Sequence, residues 1–308
     1  MDAALILAAT LFAAAPQPRW GHAMTFDAER GVVLLHGGTA EGRVFQGDLW
    51  SFDGKAWTPL EPAGSERPPA CDAHVLVHDA RRKKTVLLGG RTPDRMLADT
   101  WEWDGERWER LAVPAPNPPR IHAVGADDPE RGRVLVHGGV TNGNSFCRDT
   151  WSFDGKTWTR EDDTGPEKAA PNGMAFDRGT RSLVLLVSLL GEPGRRALLG
   201  RSSNAWTPIG DAAPPEFEPI QPIVPMPGSK TGGLLLFDGG SGASHRFDRA
   251  SGWTRLDAAG PPPRSGHAMA YDAKRDRAVL FGGGNSDRPS RMGDTWEFDG
   301  TRWRRWTP

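Results

Sequence analysis

Charge of one sign is what this sequence most plainly lacks. Thirty-eight Lys and Arg stand against 39 Asp and Glu, for a formal charge of −1, so there is no broad basic field to hold nucleic-acid phosphates or an anionic membrane surface. Nucleic acid is therefore not an expected partner. Long apolar runs are also missing: after Ala3–Ala15 (AALILAATLFAAA) no segment could span a bilayer. That first run, followed by Pro16, has the length and small-residue end of a secretory signal over residues 1–16, although Asp2 stands where a basic residue belongs. The expectation is a secreted or periplasmic protein beginning near residue 17; an uncleaved tail or a misassigned start is the other reading. Tyrosine is the third shortage. A single Tyr beside 13 Trp and 12 Phe, with 38 Gly and 27 Pro, describes a turn-rich chain whose aromatic bulk has a repeated structural use.

The repeat is visible in the tryptophans. Trp57, Trp108, Trp158, Trp206, Trp253 and Trp303 recur every 47 to 51 residues, and in four units a second Trp precedes by seven residues (Trp50, Trp101, Trp151, Trp296), two after an Asp. A period of this length marks a solenoid or propeller. Each unit reads as four strands: one entered from a Pro-rich loop (Pro18 to Met24), a continuous apolar run (Val32 to Leu35) closed by Gly37-Gly38, and two joined across Asp53-Gly54. An apolar run suits a strand covered on both faces, and Asp-Gly accepts the positive φ of a hairpin. Units four and five are worn: Val187-Ser188 replaces the glycine pair in one and His245 replaces the early Trp in the other. They are expected to be blades with shortened decoration.

These residues resemble the Kelch repeat, strongly in units one, two, three and six, in the variant common to bacterial Kelch and galactose-oxidase-like propellers. The resemblance implies an all-β fold, a six-bladed Kelch-type β-propeller of four-stranded antiparallel blades at about 17–63, 64–114, 115–162, 163–210, 211–257 and 258–308. No strand is exchanged to clasp the ring, so closure is expected to rest on side-chain packing. Copper-radical oxidases of this family need two tyrosines; with Tyr271 alone that chemistry is excluded. Ser51 to Trp57 approaches the sialidase Asp box but is one residue short, and the hairpin accounts for it.

Other candidates have bland explanations. His22, His74 and His267 share one repeat position, but strand residues point toward neighbouring blades, so they are expected to bond between blades instead of converging on a metal. His122 is one residue out of that register. The Asp of each Asp-x-Trp is expected to accept backbone N–H groups after the glycine pair, and the repeat tryptophans to form inter-blade core; Trp20 and Trp306 fall outside that pattern and suit exposed contact. No cofactor or metal is expected. Cys71 and Cys147 lie on one face of adjacent blades, where either a disulfide or two free thiols is possible.

The loops before the first and after the second strand share one face. There Arg19, Arg43, Arg91, Arg95, Arg120, Arg148, Arg264 and Arg291 gather, mixed with Glu41 and Asp94. Arg19, Trp20, Arg43, Arg91, Arg120, Arg148, Arg264 and Arg291 are the candidate ligand-binding residues, suited to an acidic sugar or a carboxylate-bearing partner. The expected function is non-catalytic recognition of a glycan or protein by a monomer; the alternatives are a carbohydrate-modifying enzyme without a legible motif and a passive structural module.

Overall fold

Each repeat folds on itself into one antiparallel sheet, because its strands are joined by turns too short to reach elsewhere. The computed structural model describes residues 15–162, 169–190, 192, 195–202, 205–209, 222–229, 232–285 and 288–307. Most of the N-terminal apolar run, and with it most of the expected signal segment 1–16, lies outside them. Blade one comprises Ala23–Asp27, Val32–His36, Leu49–Phe52 and Trp57–Leu60, paired in that order. Five further four-stranded sheets follow, each from a contiguous stretch, with first strands Val75–Asp79, Val124–Asp128, Ala169–Asp177, Ile223–Pro225 and Ala268–Asp272. The first strands touch in sequence and blade six returns to blade one, which makes a closed six-bladed propeller.

The core sits between the blades. Val33 and Leu35 pack toward blade six while Leu34 faces blade two, so the second strand is apolar on both faces for a geometric reason. Fourth-strand tryptophans bond across four of the six junctions: the indole N–H groups of Trp57, Trp158, Trp206 and Trp303 donate to Thr295, Thr100, Thr150 and Ser244 of the preceding blade, at 2.8–3.0 Å.

Gly37 and Gly38 have φ of 66° and 96°, and a Cβ on Gly37 would lie 2.6 Å from the Cys71 carbonyl oxygen. The glycine pair thus admits the next blade and stops the strand. Blade four shows the converse. With Val187-Ser188 in that place its first two strands run on to Ala169–Asp177 and Ser182–Leu189, longer than their counterparts and not shortened.

Two further expectations need correction. Phe52 pairs with Trp57, so the hairpin loop is Asp53 to Ala56, held by Asp53 Oδ1 accepting the N–H groups of Lys55 and Ala56 at 2.7 and 2.8 Å. Ring closure also uses backbone: Gly21 N–H donates to Gly266 O across the blade one/six junction at 2.9 Å, as Ala73 does to Gly21 and His122 to Ala73 elsewhere. All four residues are left-handed, with φ between 55° and 64°, which places His122 on the Gly21 position, one before the histidine register.

Candidate binding face

The arginines on the loop face divide into two kinds. Arg19, Arg120 and Arg264 are buried. Each grips the Asp of its own Asp-x-Trp with two nitrogens: Arg19 to Asp48 at 2.5 and 2.8 Å, Arg120 to Asp149 at 2.6 and 3.0 Å, Arg264 to Asp294 at 2.7 and 3.0 Å. One nitrogen also donates to the carbonyl of the first glycine of the pair, Gly37, Gly138 or Gly282, at 3.0 Å. The same carboxylates accept the indole N–H of Trp50, Trp151 or Trp296. The Asp partners are therefore a guanidinium and an indole, not the backbone amides expected from sequence, and these three arginines are corrected from ligand binders to internal braces. A fork of donors matches a carboxylate geometrically and holds both loops of a blade together. Burial pushes these carboxyls up, but the guanidinium contact outweighs it and holds Asp48, Asp149 and Asp294 below the usual carboxylate range.

The second kind faces solvent. Trp20, Arg43, Phe45, Asp72, Arg91 and Arg291 line one cavity of about 640 Å³ where the loops of blades six, one and two meet. The Arg291 guanidinium stacks on Trp20, 4.3 Å from the ring centre. Arg91 is aimed by Asp72, its Nε 2.9 Å from Oδ1, and Asp72 is itself fixed by Thr39 Oγ1 at 2.8 Å. Arg43 is exposed and, among the described residues, has no ion pair or side-chain hydrogen bond. Three guanidinium groups against the one Asp72 carboxylate leave the lining positive. Arg148 is half-buried beside Asp149 and is not part of this lining. Sequence reasoning missed Asp72 and Phe45; the first is signalled only by its place beside Arg91 across a loop, which no spacing reveals.

The profile of the KLHDC2/KLHL20/DRC7 Kelch-repeats domain matches residues 8–176. This chain belongs to the Kelch-repeat family. Kelch domain-containing protein 10 of Xenopus tropicalis is 26% identical to it over 136 residues, 41% of this chain and 31% of that protein, so the match spans under a third of the relative's length. The solved structure of YjhT aligns with a TM-score of 0.65 at 14% identity, covering 95% of this chain and 99% of that one, a likeness of fold. A Kelch propeller supports a binding or interaction role in general.

Inside the Kelch ring, first-strand residues enclose a channel cavity of about 450 Å³. His22, His74 and His267 line it, each set edge-on against the preceding blade: His22 on Phe281 at 5.4 Å, His74 on His36 at 5.0 Å, His267 on Phe237 at 5.3 Å. They follow one another around the ring, but the expected inter-blade hydrogen bond is made by His74 alone, to His36 at 3.2 Å; neither ring nitrogen of His22 or His267 has a partner among the described residues, so those two contacts are ring packing. Burial pushes His22 and His267 down to about 3, so both are neutral. Asp127 also lines the channel; burial and the neighbouring Asp79 push its carboxyl up to about 7. Cys71 and Cys147 are free thiols. Trp306, expected to be exposed, lies half-buried edge-on to Phe52 at 5.7 Å. No helix among the described residues is long and apolar enough to cross a membrane.

Proposed function

We propose that this Kelch protein is a non-catalytic recognition module, acting outside the cytoplasm, that takes a carboxylate-bearing glycan in the loop-face pocket. The observation that carries the reading is the convergence of Arg43, Arg91 and Arg291 beside Trp20 and Phe45 in one cavity. A guanidinium offers paired donors to a carboxylate, while an indole face covers the apolar C–H face of a sugar ring. Arg91 is already oriented by Asp72, which lowers the ordering cost of binding. Arg43 has no internal partner among the described residues and is available to a ligand.

The test is a thermal-shift screen with uronic-acid oligosaccharides and their neutral counterparts. Saturation at a hundred times Kd stabilises by about 2.7 kcal/mol. A shift with the acidic series alone, lost in Arg43→Ala and Arg291→Ala, supports the pocket. A shift unchanged by both substitutions removes it, and response to an acidic peptide but no glycan moves the reading to a protein partner.

A second reading is a carbohydrate-modifying enzyme, and Asp127 is the observation that favours it. A carboxyl with a pKa near 7 in a channel is poised for general acid–base work. Turnover of a sugar substrate abolished by Asp127→Asn, with binding retained, would establish that reading.

A further inference from the structure

The junction between blades one and two departs from its counterparts at three equivalent positions. Blades one, three and six brace their loops with Arg19, Arg120 and Arg264, but blade two has Cys71 in that place. Its Asp99 pairs instead with Arg110 of the fourth strand. Blades five and six present Phe237 and Phe281 to the histidine of the next blade, whereas blade one presents His36 to His74. Leu49 stands where Thr100, Thr150, Ser244 and Thr295 accept an indole N–H. One junction has thus given up a buried cation and gained a thiol, which meets the repeat histidine His74 and a second imidazole, His36, at a position where blade three carries His137.

These three groups meet. The His74 ring lies between the others, with Nδ1 3.6 Å from Cys71 Sγ and Nε2 3.2 Å from His36 Nδ1. One nitrogen of each imidazole and the sulfur all lie within 4.8 Å of one another, and no other such group of ligand atoms occurs among the described residues. All three side chains are buried, and His36 Nε2 has no hydrogen-bond partner. With metal–sulfur and metal–nitrogen bonds of about 2.3 and 2.0 Å, tetrahedral angles place S and N about 3.5 Å apart and two N atoms about 3.3 Å apart. A cation would use one nitrogen of His74, so one of the two observed pairs would close by side-chain torsion. His74 lines the central channel, which gives an ion a way in.

We propose that His36, Cys71 and His74 form a three-ligand site for a thiophilic d10 cation that ties blade two to blade one. A thiolate with two imidazoles selects Zn²⁺ or Cu⁺ over harder ions. Binding deprotonates Cys71 and releases one proton as the metal–sulfur bond forms. Asp72, which aims Arg91 in the loop-face pocket, is the next residue, so the ion would sit behind the pocket wall.

The test uses the full chain, stripped with a chelator and titrated with Co²⁺ and then Zn²⁺. One equivalent of Co²⁺ is expected to give a thiolate-to-cobalt charge-transfer band that Zn²⁺ abolishes. His36→Phe copies the ring used at Phe281 and Phe237, and Cys71→Arg restores the brace opposite Asp99, so each repeats packing already present in this propeller. Both should lose the band and weaken Zn²⁺ at least tenfold, whereas Cys147→Ser should retain it. No band in the wild type, a band surviving Cys71→Arg, or a band lost in Cys147→Ser would overturn the site.

Discussion

Arg120→Met should unfold this protein at markedly lower denaturant, although Arg120 lies on the face proposed to bind. Its guanidinium makes four hydrogen bonds: to Asp149 at 2.6 and 3.0 Å, to Gly138 O at 3.0 Å and to Pro118 O at 3.3 Å. The Arg120 and Asp149 side chains are only 2% and 9% exposed, so solvent does little to screen the pair. Methionine fills the space of the stem but leaves a buried carboxylate that still accepts the Trp151 indole N–H and has lost its guanidinium. Breaking one side of a buried pair costs about 3–5 kcal/mol. Arg43→Met, at an exposed position without such partners, should change stability by no more than about 0.5 kcal/mol. Urea unfolding of both variants reads the difference. Adding Asp149→Asn to Arg120→Met should recover part of the loss, since the uncompensated charge is gone, and a double-mutant cycle measures the coupling. A cost below about 1 kcal/mol for Arg120→Met, or additive effects of the two substitutions, would refute the assignment of Arg19, Arg120 and Arg264 as braces.

Thr295→Val removes the acceptor of the Trp57 indole at the junction of blades six and one. It should cost about 1–3 kcal/mol by urea midpoint, the penalty for a buried unpaired donor. Gly37→Ala places a Cβ 2.6 Å from the Cys71 carbonyl oxygen at a φ of 66°; a loss of about 1–3 kcal/mol is expected from the strain alone. Acid should destabilise the fold well above the carboxylate range. Burial depresses His22, His137 and His267 to about 3 in the folded state, so the unfolded chain takes up their protons first as pH falls through 6.5, and stability declines from there toward pH 3. Between pH 7.5 and 5.5 the three together lose about 4 kcal/mol. Asp127, raised to about 7, has the opposite sign: its burial penalty is relieved as pH falls, which returns about 2 kcal/mol over the same interval. A flat stability profile from pH 7.5 to 5.5 would contradict the neutral burial of these imidazoles.

The blade count was legible because a propeller repeats one solution six times, and each repeat imposes its glycines and tryptophans at the same spacing. The second strand is apolar on both faces because blades cover both, and that run is plain in Val32 to Leu35. The sorting of the arginines was less legible. Arg19 and Arg91 both follow a loop signal, but one turns inward to Asp48 and the other outward beside Asp72. What separates them is recurrence: Arg19, Arg120 and Arg264 precede their Asp partners by 29 or 30 residues, whereas Arg43, Arg91 and Arg291 sit in loops that differ from blade to blade. Repeat-matched residues here serve the ring, and the candidate site is built from those that break the pattern. Cys71 belongs to the same class, a departure visible only once the blades are aligned position by position.

The loop-face pocket is tested most directly by calorimetric titration of a uronic-acid oligosaccharide into the wild type and into Arg291→Ala, which removes the guanidinium stacked on Trp20. The pocket predicts one-site binding to the wild type, weakened by about tenfold or more in the variant, with unfolding stability within about 1 kcal/mol of the parent. Equal affinity for both proteins would place the ligand elsewhere and contradict the assignment of this face.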